Sequence, residues 1–399
     1  METYQFLTNH IKQQLIDWRR FFHQNPELSF KEYRTTEYII KHLKTFGELE
    51  IIRPCETGAV AVIRGKKPGH DVAFRADIDA LPITEDNDVP YKSKFAEAMH
   101  ACGHDAHTAI LLGAAKILSS LTDEIEGNIY LIFQPAEEIA PGGAIGIINS
   151  GILDKVELIF GAHVRCWSPV GTFGIRPGVI FASVFPFEME IKGKSTHSAF
   201  YFKGIDPIYV GANIVTAFNG VISRFQDSAQ RASISTCEFK AGNSYSSIPS
   251  NAKLKGVLRV LNDEAAPALI ERFSRVAYGI CNMYGAECSL KWIDGYKAVT
   301  NNPDVVNAVK NVLSNVFGND SIFTYDPVLG GEDFGAYLKN IPGAYYYIGA
   351  KKVHKDGIVY PSHSNRFDID ENALLFGTEA CVNVLLKAPS IYFSNISSI

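Results

Sequence analysis

The sequence has few of the features that mark secreted, membrane-spanning or nucleic-acid-binding proteins. Its seven cysteines are odd in number and form no CxxC pair, which argues against a disulfide framework and predicts a reducing, cytoplasmic location. No stretch approaches about 18 uninterrupted apolar residues, and METYQFLTNHIKQQLIDWRRFF lacks the apolar core of a signal peptide. A net charge of −5 without blocks of like charge argues against partners such as nucleic acid or an anionic membrane.

The hydrophobic pattern predicts two domains of different architecture. The chain has 399 residues, of which 46% are hydrophobic, as in ordinary soluble proteins. Short apolar runs at Val72–Arg75, Ile129–Phe133 and Leu158–Phe160 have strand character, and Thr108–Leu121 has helix length between the first two. Strands that alternate with helices predict βαβ units and a mostly parallel sheet.

The pattern changes near residue 183, where alternating apolar and polar residues indicate half-buried strands. Four such strands and two intervening helices give the order of a small α+β sandwich with one antiparallel sheet. After about residue 297 the α/β alternation resumes. We therefore predict an α/β domain built from residues 1–182 and 297–399. The α+β domain, residues 183–296, is expected to be inserted at a surface loop.

The segment MHACGHDAH, residues 99–107, concentrates residues that can bind a metal. Cys102 and His104 stand one residue apart, and a thiolate and an imidazole suit a borderline-soft ion such as zinc. Asp105 and Thr108 are plausible helix caps. A single Cys-x-His pair does not make a site, so the rest of the chain must supply further ligands.

Two strand candidates end in carboxylates. Asp77 and Asp79 in RADIDA point to the same side of an extended strand, where one can orient a metal-binding histidine. Glu137 and Glu138 in IFQPAEE point in different directions, so one can bind a metal while the other accepts a proton from water. In open α/β sheets, ligands bind at this edge.

Two further histidines lie in comparable positions. His163 in FGAHV follows the strand candidate Leu158–Phe160, and His363 lies in the polar segment PSHSNRFDID. Taken singly, each is more often a structural or surface residue. Taken together, segments that offer Asp, Cys/His, Glu/Glu and His favour a site for metal-assisted hydrolysis.

Seven segments together resemble a known family. They are RADIDALPI, MHACGHDAH, QPAEE…PGGA, GAHV, GKSTHSA, GGEDFG and HSNRFDIDE. In order and spacing they resemble the metal-dependent aminoacylase and carboxypeptidase-type amidohydrolases, in the branch of hippurate hydrolase, N-acetyldiaminopimelate deacetylase and plant auxin–amino-acid hydrolases. The resemblance covers nearly the whole chain. It implies an α/β catalytic domain with two metals and an inserted lid or dimerisation domain.

The resemblance also implies roles for individual residues. Two divalent ions per subunit are expected, zinc or manganese with cobalt as a further option. The implied general base is Glu137, and Asp79 is implied to orient a ligand. In the lid, His197 is implied to reach the neighbouring subunit's substrate, and Arg259 to meet a substrate carboxylate. The implied metal ligands are Cys102, His104, Glu138, His163 and His363.

The sequence departs from the family pattern only around the substrate. Ser195 and Thr196 replace glycines before the lid histidine, and Tyr201-Phe202 stands where Pro-His is frequent. Ser246-Ser247 replaces an Asn-Val pair, and Asn365 replaces a proline. Because no implied metal ligand is changed, we expect hydrolysis to be retained with altered specificity.

The leading prediction is hydrolysis of the amide bond of N-acyl amino acids by a metal-bound hydroxide. A metallo-dipeptidase or carboxypeptidase on the same site is the first alternative. An inactive metal- or ligand-binding homologue is the second, although it has no use for Glu137. A redox protein built on Cys102 is disfavoured by the missing partner cysteine. The expected partners are a small N-acyl amino acid or short peptide and a second copy of the chain, in a homodimer through the inserted domain.

Overall fold

The computed structural model describes residues 9–225 and 231–396. Residues 1–8, 226–230 and 397–399 of the predicted domains lie outside these ranges. By backbone contacts the chain divides into two units. The domain boundaries predicted between residues 182 and 183 and between residues 296 and 297 stay predictions. Unit 1 is Met1–Gly178, Thr300–Asp326 and Asp333–Ile399, and unit 2 is Val179–Val299 and Pro327–Glu332.

The described residues form helices and strands that we number in chain order. The α-helices are α1 (Lys12–Gln24), α2 (Tyr33–Leu43), α3 (His104–Leu118), α4 (Ala144–Asn149), α5 (Pro207–Phe225), α6 (Ala266–Met283), α7 (Pro303–Phe317), α8 (Gly335–Leu338) and α9 (Ala373–Ile396). The strands are β1 (Glu50–Ile52), β2 (Ala59–Arg64), β3 (Val72–Asp77), β4 (Asn128–Gln134), β5 (Leu158–Arg165), β6 (Phe173–Gly174), β7 (Gly178–Phe181), β8 (Ser183–Lys192), β9 (Thr196–His197), β10 (Ala232–Ala241), β11 (Ser247–Ile248), β12 (Asn251–Val260), β13 (Glu287–Trp292), β14 (Val299–Asn301), β15 (Ile322–Phe323) and β16 (Gly343–Gly349).

Unit 1 is organised around a sheet with the strand order β1-β2-β4-β3-β5-β16-β6-β15. At its centre β3 runs parallel to both β4 and β5, and β5 runs parallel to β16. All residues of β3 and β16 are buried, as expected for parallel strands covered on both faces. The carboxyl ends of β3, β4 and β5 therefore meet at one edge of the sheet.

Helix α3 connects β3 to β4 and is almost wholly buried, since only Lys116 of its residues is not. It packs on β3 and against α1 and α9. Among the described residues one helix, α9, is apolar and long enough to cross a membrane by length and composition alone. About 61% of its most apolar window is buried inside the protein, which is typical of a core helix.

Unit 2 contains a fully antiparallel sheet of order β10-β12-β8-β13. Along β12 buried residues alternate with exposed or partly exposed ones, which is the period expected of a sheet with one covered face. Helices α5 and α6 cover that face, and Phe187, Phe218 and Phe273 meet in the core between sheet and helices. The α/β class, the mostly parallel sheet and the separate antiparallel sheet are confirmed.

Candidate metal centre

The turn that begins α3 brings Cys102 and His104 together. The helix starts at His104, and Gly103 before it has φ of +96°, a conformation that costs glycine little. A Cβ atom on Gly103 would lie 2.4 Å from Cγ2 of Val164, so no larger residue fits there. The turn therefore holds a thiol and an imidazole at the sheet edge where β3 ends.

The other candidate ligands reach the same place from three segments. Glu137 and Glu138 follow β4, after Ala136 with φ of +54°. His363 lies in a loop with φ of +68°, and its N–H donates to the carbonyl of Ala101 at 2.7 Å. His163 was predicted to follow a strand. It lies within β5, because parallel pairing with β16 extends that strand to Arg165.

The structure brings all five predicted ligands together within unit 1. Sγ of Cys102 lies 3.3 Å from Nε2 of His163. Oε1 of Glu138 lies 3.3 Å from Nε2 of His363 and 3.9 Å from Nε2 of His104. Of the triplets whose ligand atoms all lie within 4.8 Å of one another, three consist of the predicted ligands and Glu137: Cys102/His104/His163, Cys102/Glu138/His363 and His104/Glu137/Glu138.

Hydrogen bonds fix which histidine nitrogen faces this cluster. Nδ1 of His104 lies 3.0 Å from the carbonyl of Asp79 and 3.2 Å from its Oδ1, so Nδ1 donates. Nδ1 of His163 donates to the carbonyl of Val164 at 2.7 Å. In both rings Nε2 is then the nitrogen that faces the cluster and can bind a metal. Nε2 of His104 is buried and makes no hydrogen bond within the protein.

The charges in the cluster suit divalent cations. Burial lowers the pKa of His163 to about 3, which keeps its imidazole neutral. Hydrogen bonds to Cys102 and Glu138 raise the pKa of His363 to about 10, so positive charge is favoured beside them. Burial raises the pKa of Asp79, but the hydrogen bond and charge of His104, together with the hydrogen bonds from Ser29 and from the N–H of Glu138, lower it by more, and Asp79 stays ionised. A cysteine, three histidines and two glutamates, with Nε2 of His104 buried without a hydrogen bond, fit a zinc-type donor set.

The sequence suggested that Asp105 is a helix cap or a group that supports the ligands, and the structure excludes the cap. The N-cap is Gly103, and Asp105 is the second residue of α3 with its side chain fully buried. Arg19 Nε binds its Oδ2 at 2.7 Å, and His23 Nδ1 lies 2.8 Å from the same oxygen. Thr108 is not a cap either, since its hydroxyl donates within the helix to the carbonyl of His104.

His197 and Arg259 lie in unit 2. His197 is exposed on β9, and its Nδ1 accepts the N–H of Ala199 at 3.1 Å. Arg259 lies on β12, where Nη1 donates to the carbonyl of Leu329 at 2.9 Å. The side chains of Tyr201 and Phe202 are each 69% exposed. Their roles towards a substrate stay predictions.

Sequence reasoning missed two residues that support the cluster. Ser29 donates from Oγ to Oδ2 of Asp79 at 2.7 Å. Glu32 is fully buried, and its carboxylate accepts the N–H of Ala136, next to Glu137. Both lie in HQNPELSFKEYRT, where neither periodicity nor a metal-ligand spacing points to them. What distinguishes Glu32 is the burial of a charged side chain, and burial is visible only in the three-dimensional structure.

Comparison with known proteins places this geometry in a family. Residues 73–387 match the model of peptidase family M20/M25/M40. Thermostable carboxypeptidase 2 of Saccharolobus solfataricus is 39% identical, covering 99% of this chain and 100% of the relative. An N-acyl-L-amino acid amidohydrolase of Geobacillus stearothermophilus is 39% identical, over 74% of this chain and 80% of the relative. A crystal structure from Bacillus subtilis, described as a dinuclear metal binding peptidase of the M20 family, has a TM-score of 0.81 at 35% identity, covering 95% of this chain and 98% of the other.

The chain therefore belongs to peptidase family M20/M25/M40. The predicted resemblance to metal-dependent amidohydrolases is confirmed, and so is the prediction of a hydrolase that acts on amide bonds.

Proposed function

We propose that this protein hydrolyses the amide bond of N-acyl amino acids with two divalent metal ions and Glu137 as the general base. One observation carries the proposal: Cys102, His104, Glu138, His163 and His363 converge at one sheet edge, with Glu137 beside them. The relative described as an N-acyl-L-amino acid amidohydrolase supports the substrate class.

Two ions are proposed because the five candidate ligands form two different triplets. His104 and His163 would help to hold one ion and Glu138 and His363 the other, with Cys102 close to both sets. The dinuclear neighbour supports this number. We propose zinc or manganese, with cobalt as a substitute, because a thiolate favours zinc and carboxylates accept manganese. When bound, such ions polarise a carbonyl and lower the pKa of a coordinated water to about 7.

The protein's own groups then move the proton. The side chain of Glu137 is buried, and one of its oxygens lies within 4.8 Å of ligand atoms of His104 and Glu138. From there it accepts a proton from the attacking water and returns it to the leaving amine. Asp79 holds the His104 ring through Nδ1, so that Nε2 keeps its direction.

We extend the proposal to unit 2, to assembly and to location. Arg259 is proposed to bind the substrate carboxylate by paired hydrogen bonds, which suit a planar guanidinium. His197 is proposed to donate to the developing oxyanion of a neighbouring subunit's substrate, which requires a homodimer. Unpaired cysteines favour the cytoplasm: all seven in the described ranges are free thiols.

The test is hydrolysis by metal-loaded protein of a panel of N-acyl amino acids and dipeptides. Glu137→Gln keeps the size of the side chain but removes the base, and we expect kcat to fall about 10²- to 10⁴-fold with metal content unchanged. Glu126→Gln, at an exposed glutamate, is the matched control and should retain full activity. No amine release from any substrate, or full activity of Glu137→Gln, contradicts the proposal.

A second candidate is a metallocarboxypeptidase or dipeptidase on the same site. It is favoured by the carboxypeptidase relative, whose identity extends over 99% of this chain. The same panel separates the two functions. A peptidase releases amino acids from peptides with a free or blocked α-amine, whereas a deacylase requires the acyl group on an otherwise free amino acid.

A further inference from the structure

Glu32 occupies an unusual place for a charged residue. It is the N-cap of α2, yet its side chain makes no capping hydrogen bond and is fully buried. Oε2 accepts the hydroxyl hydrogen of Thr57 at 2.8 Å. Oε1 accepts two backbone N–H groups, from Phe30 at 3.0 Å and from Ala136 at 2.8 Å. The buried carboxylate of Glu32 therefore forms its hydrogen bonds with residues outside its own helix.

The two amides that Oε1 accepts belong to residues in the left-handed conformation. Phe30 has φ of +64° and Ala136 has φ of +54°. In the described ranges 9–225 and 231–396, only one other non-glycine residue, His363, has a positive φ. This conformation costs a non-glycine residue of the order of 1–3 kcal/mol and persists only where its surroundings enforce it. The carboxylate of Glu32 is a group that enforces it at Ala136.

A second carboxylate holds the other side of the same turn. Oδ2 of Asp79 accepts the N–H of Glu138 at 2.9 Å. The amide before Glu137 and the amide after it are thus each bound by a buried carboxylate, Glu32 on one side and Asp79 on the other. The hydroxyl of Ser29, the residue before Phe30, also donates to Oδ2 of Asp79. The direction of the Glu137 side chain depends on both contacts.

We infer that Glu32 is a positioning residue for the acid–base and metal-binding pair Glu137–Glu138, and that it acts by holding the N–H of Ala136. Only the expected effect of Glu32 on catalysis rests on the function proposed above. Glu32 touches neither ligand nor substrate. It sets the backbone from which Glu137 and Glu138 project, and a displacement of about 1 Å at such a position lowers rates by about 100-fold.

Three variants separate this role from a general contribution to folding. Glu32→Leu removes the acceptor, and we expect kcat to fall about 10- to 100-fold, as for other residues that orient metal ligands, with little change in KM. Glu32→Gln keeps an oxygen at the Oε1 position and should stay within about threefold of wild type, because one amide oxygen suffices for the Phe30 and Ala136 N–H groups. Adding Ala136→Gly to Glu32→Leu should restore kcat by about tenfold or more, because glycine adopts positive φ without enforcement.

Glu27→Leu is the matched control. Its carboxylate accepts the N–H and hydroxyl of Thr35 in the first turn of α2, a purely structural contact. We expect this variant to lose stability but to keep kcat per folded molecule, and Ala136→Gly should bring it no gain.

A readout without substrate keeps the test independent of the proposed function. Hydrogen exchange of peptides that contain residues 133–140 should be slow in wild type and Glu32→Gln, and faster in Glu32→Leu at equal metal content. If wild type hydrolyses no substrate, the proposed function fails while the exchange result still decides the role of Glu32. Unchanged exchange at Ala136 in Glu32→Leu overturns the inference. For an active enzyme, so does a loss of kcat that Ala136→Gly does not restore.

Discussion

His104 and His107 stand on the same face of α3, with ring centroids 5.4 Å apart and both side chains buried. Nδ1 of His107 lies 2.6 Å from Oδ1 of Asp77, and its Nε2 accepts the N–H of Val164 at 2.9 Å. This hydrogen bond occupies the lone pair on Nε2 of His107, which would otherwise be available to a metal. His104 keeps Nε2 for the cluster, whereas His107 fixes the strand beside His163.

The sequence identified His104 as a candidate metal ligand, and that role stays a prediction. A spacing of three residues predicts a shared helix face but cannot say which ring meets a backbone amide. That partner, Val164, is distant in the sequence and is brought close by β5. The surroundings of His100 were likewise not predictable from the sequence. His100 is buried without a hydrogen bond on either nitrogen, and burial lowers its pKa to about 4.

His23 supplies a prediction at the residue scale about the pH dependence of stability. Nδ1 and Nε2 both face carboxylates, at 2.8 Å from Asp105 and 3.1 Å from Glu85. Burial lowers the pKa of His23 and so does Arg19, but the hydrogen bonds to Asp105 and Glu85, together with the negative charge of neighbouring carboxylates such as Asp105, outweigh both and raise it from 6.5 to about 9. The folded state thus binds the proton more tightly than the unfolded state. Its stabilisation is present below pH 6.5 and is lost as the pH rises through about 9.

The expected size of this effect is roughly 3 kcal/mol, from about 1.4 kcal/mol per unit of pKa shift. Urea unfolding of wild type and His23→Gln should show a large difference in free energy at a pH below 6.5 and a much smaller one above 9. His70→Gln, which removes a surface pair with Glu157, should change the free energy by less than about 1 kcal/mol. An equal His23→Gln difference at both pH values would contradict the assignment.

At the scale of elements, a buried charged side chain lies on β3, one of the central strands of the sheet. Arg75 is fully buried, and its guanidinium binds Asp77 Oδ2 and Asp333 Oδ1 at 2.6 Å each and Gln134 Oε1 at 2.8 Å. Gln134 also accepts the hydroxyl hydrogen of Tyr337 at 3.0 Å. These contacts join β3, β4 and the segment before α8, so the strand ends that carry Asp79 and Glu137 are tied together.

We expect Arg75→Met to destabilise the protein by about 3–5 kcal/mol, because Asp77 and Asp333 lose the cation that balances their buried charge. Arg64→Met on β2, in the same sheet, is the matched control. Arg64 is exposed and binds Glu50 at the surface, and its loss should cost less than about 1 kcal/mol. The free energy of unfolding in urea measures both, and equal small losses would show that the buried network contributes little.

The elements that were predicted best from the sequence were those with a clear pattern of apolar residues. Val72–Arg75 and Ile129–Phe133 lie inside β3 and β4, and each observed strand is longer at its polar end. Weak or polar segments were missed: β6 and β15 are two residues long, and β5 continues through His163 only because β16 pairs with it. Pro389 lies inside α9, which continues to Ile396 although proline disfavours a helix interior.

At the scale of the whole molecule, each unit has a hydrophobic core of its own. Phe133 and Phe160 belong to the core of unit 1, and Phe187 and Phe218 to that of unit 2. The discontinuous course of unit 1 was predictable because the α/β alternation resumes after residue 297. The return of residues 327–332 to unit 2 was not, because it depends on contacts with distant residues, such as the bridge between Phe181 and Val328, and shows no periodic signal.

All five candidate ligands lie in unit 1, and this leads to a prediction about metal-linked stability. A ligand that binds only the folded state stabilises it by about 2.7 kcal/mol at a free concentration of one hundred times Kd. Zinc added to the metal-free protein should therefore raise the midpoint of thermal unfolding. In hydrogen exchange, peptides from α3 and β5 should gain more protection than peptides from α6 and β12, because the ligands stand on the first pair of elements.

Two variants with the same chemical change test whether the candidate cluster is the source. Glu138→Gln removes the charge of a carboxylate whose Oε1 lies beside His363 and His104, and most of the zinc-dependent rise should disappear. Glu157→Gln removes an exposed carboxylate of the same unit, and the rise should be retained because that side chain is remote from the ligand triplets. A rise of equal size in both variants would place the stabilising zinc outside the cluster, because only Glu138→Gln alters a proposed ligand.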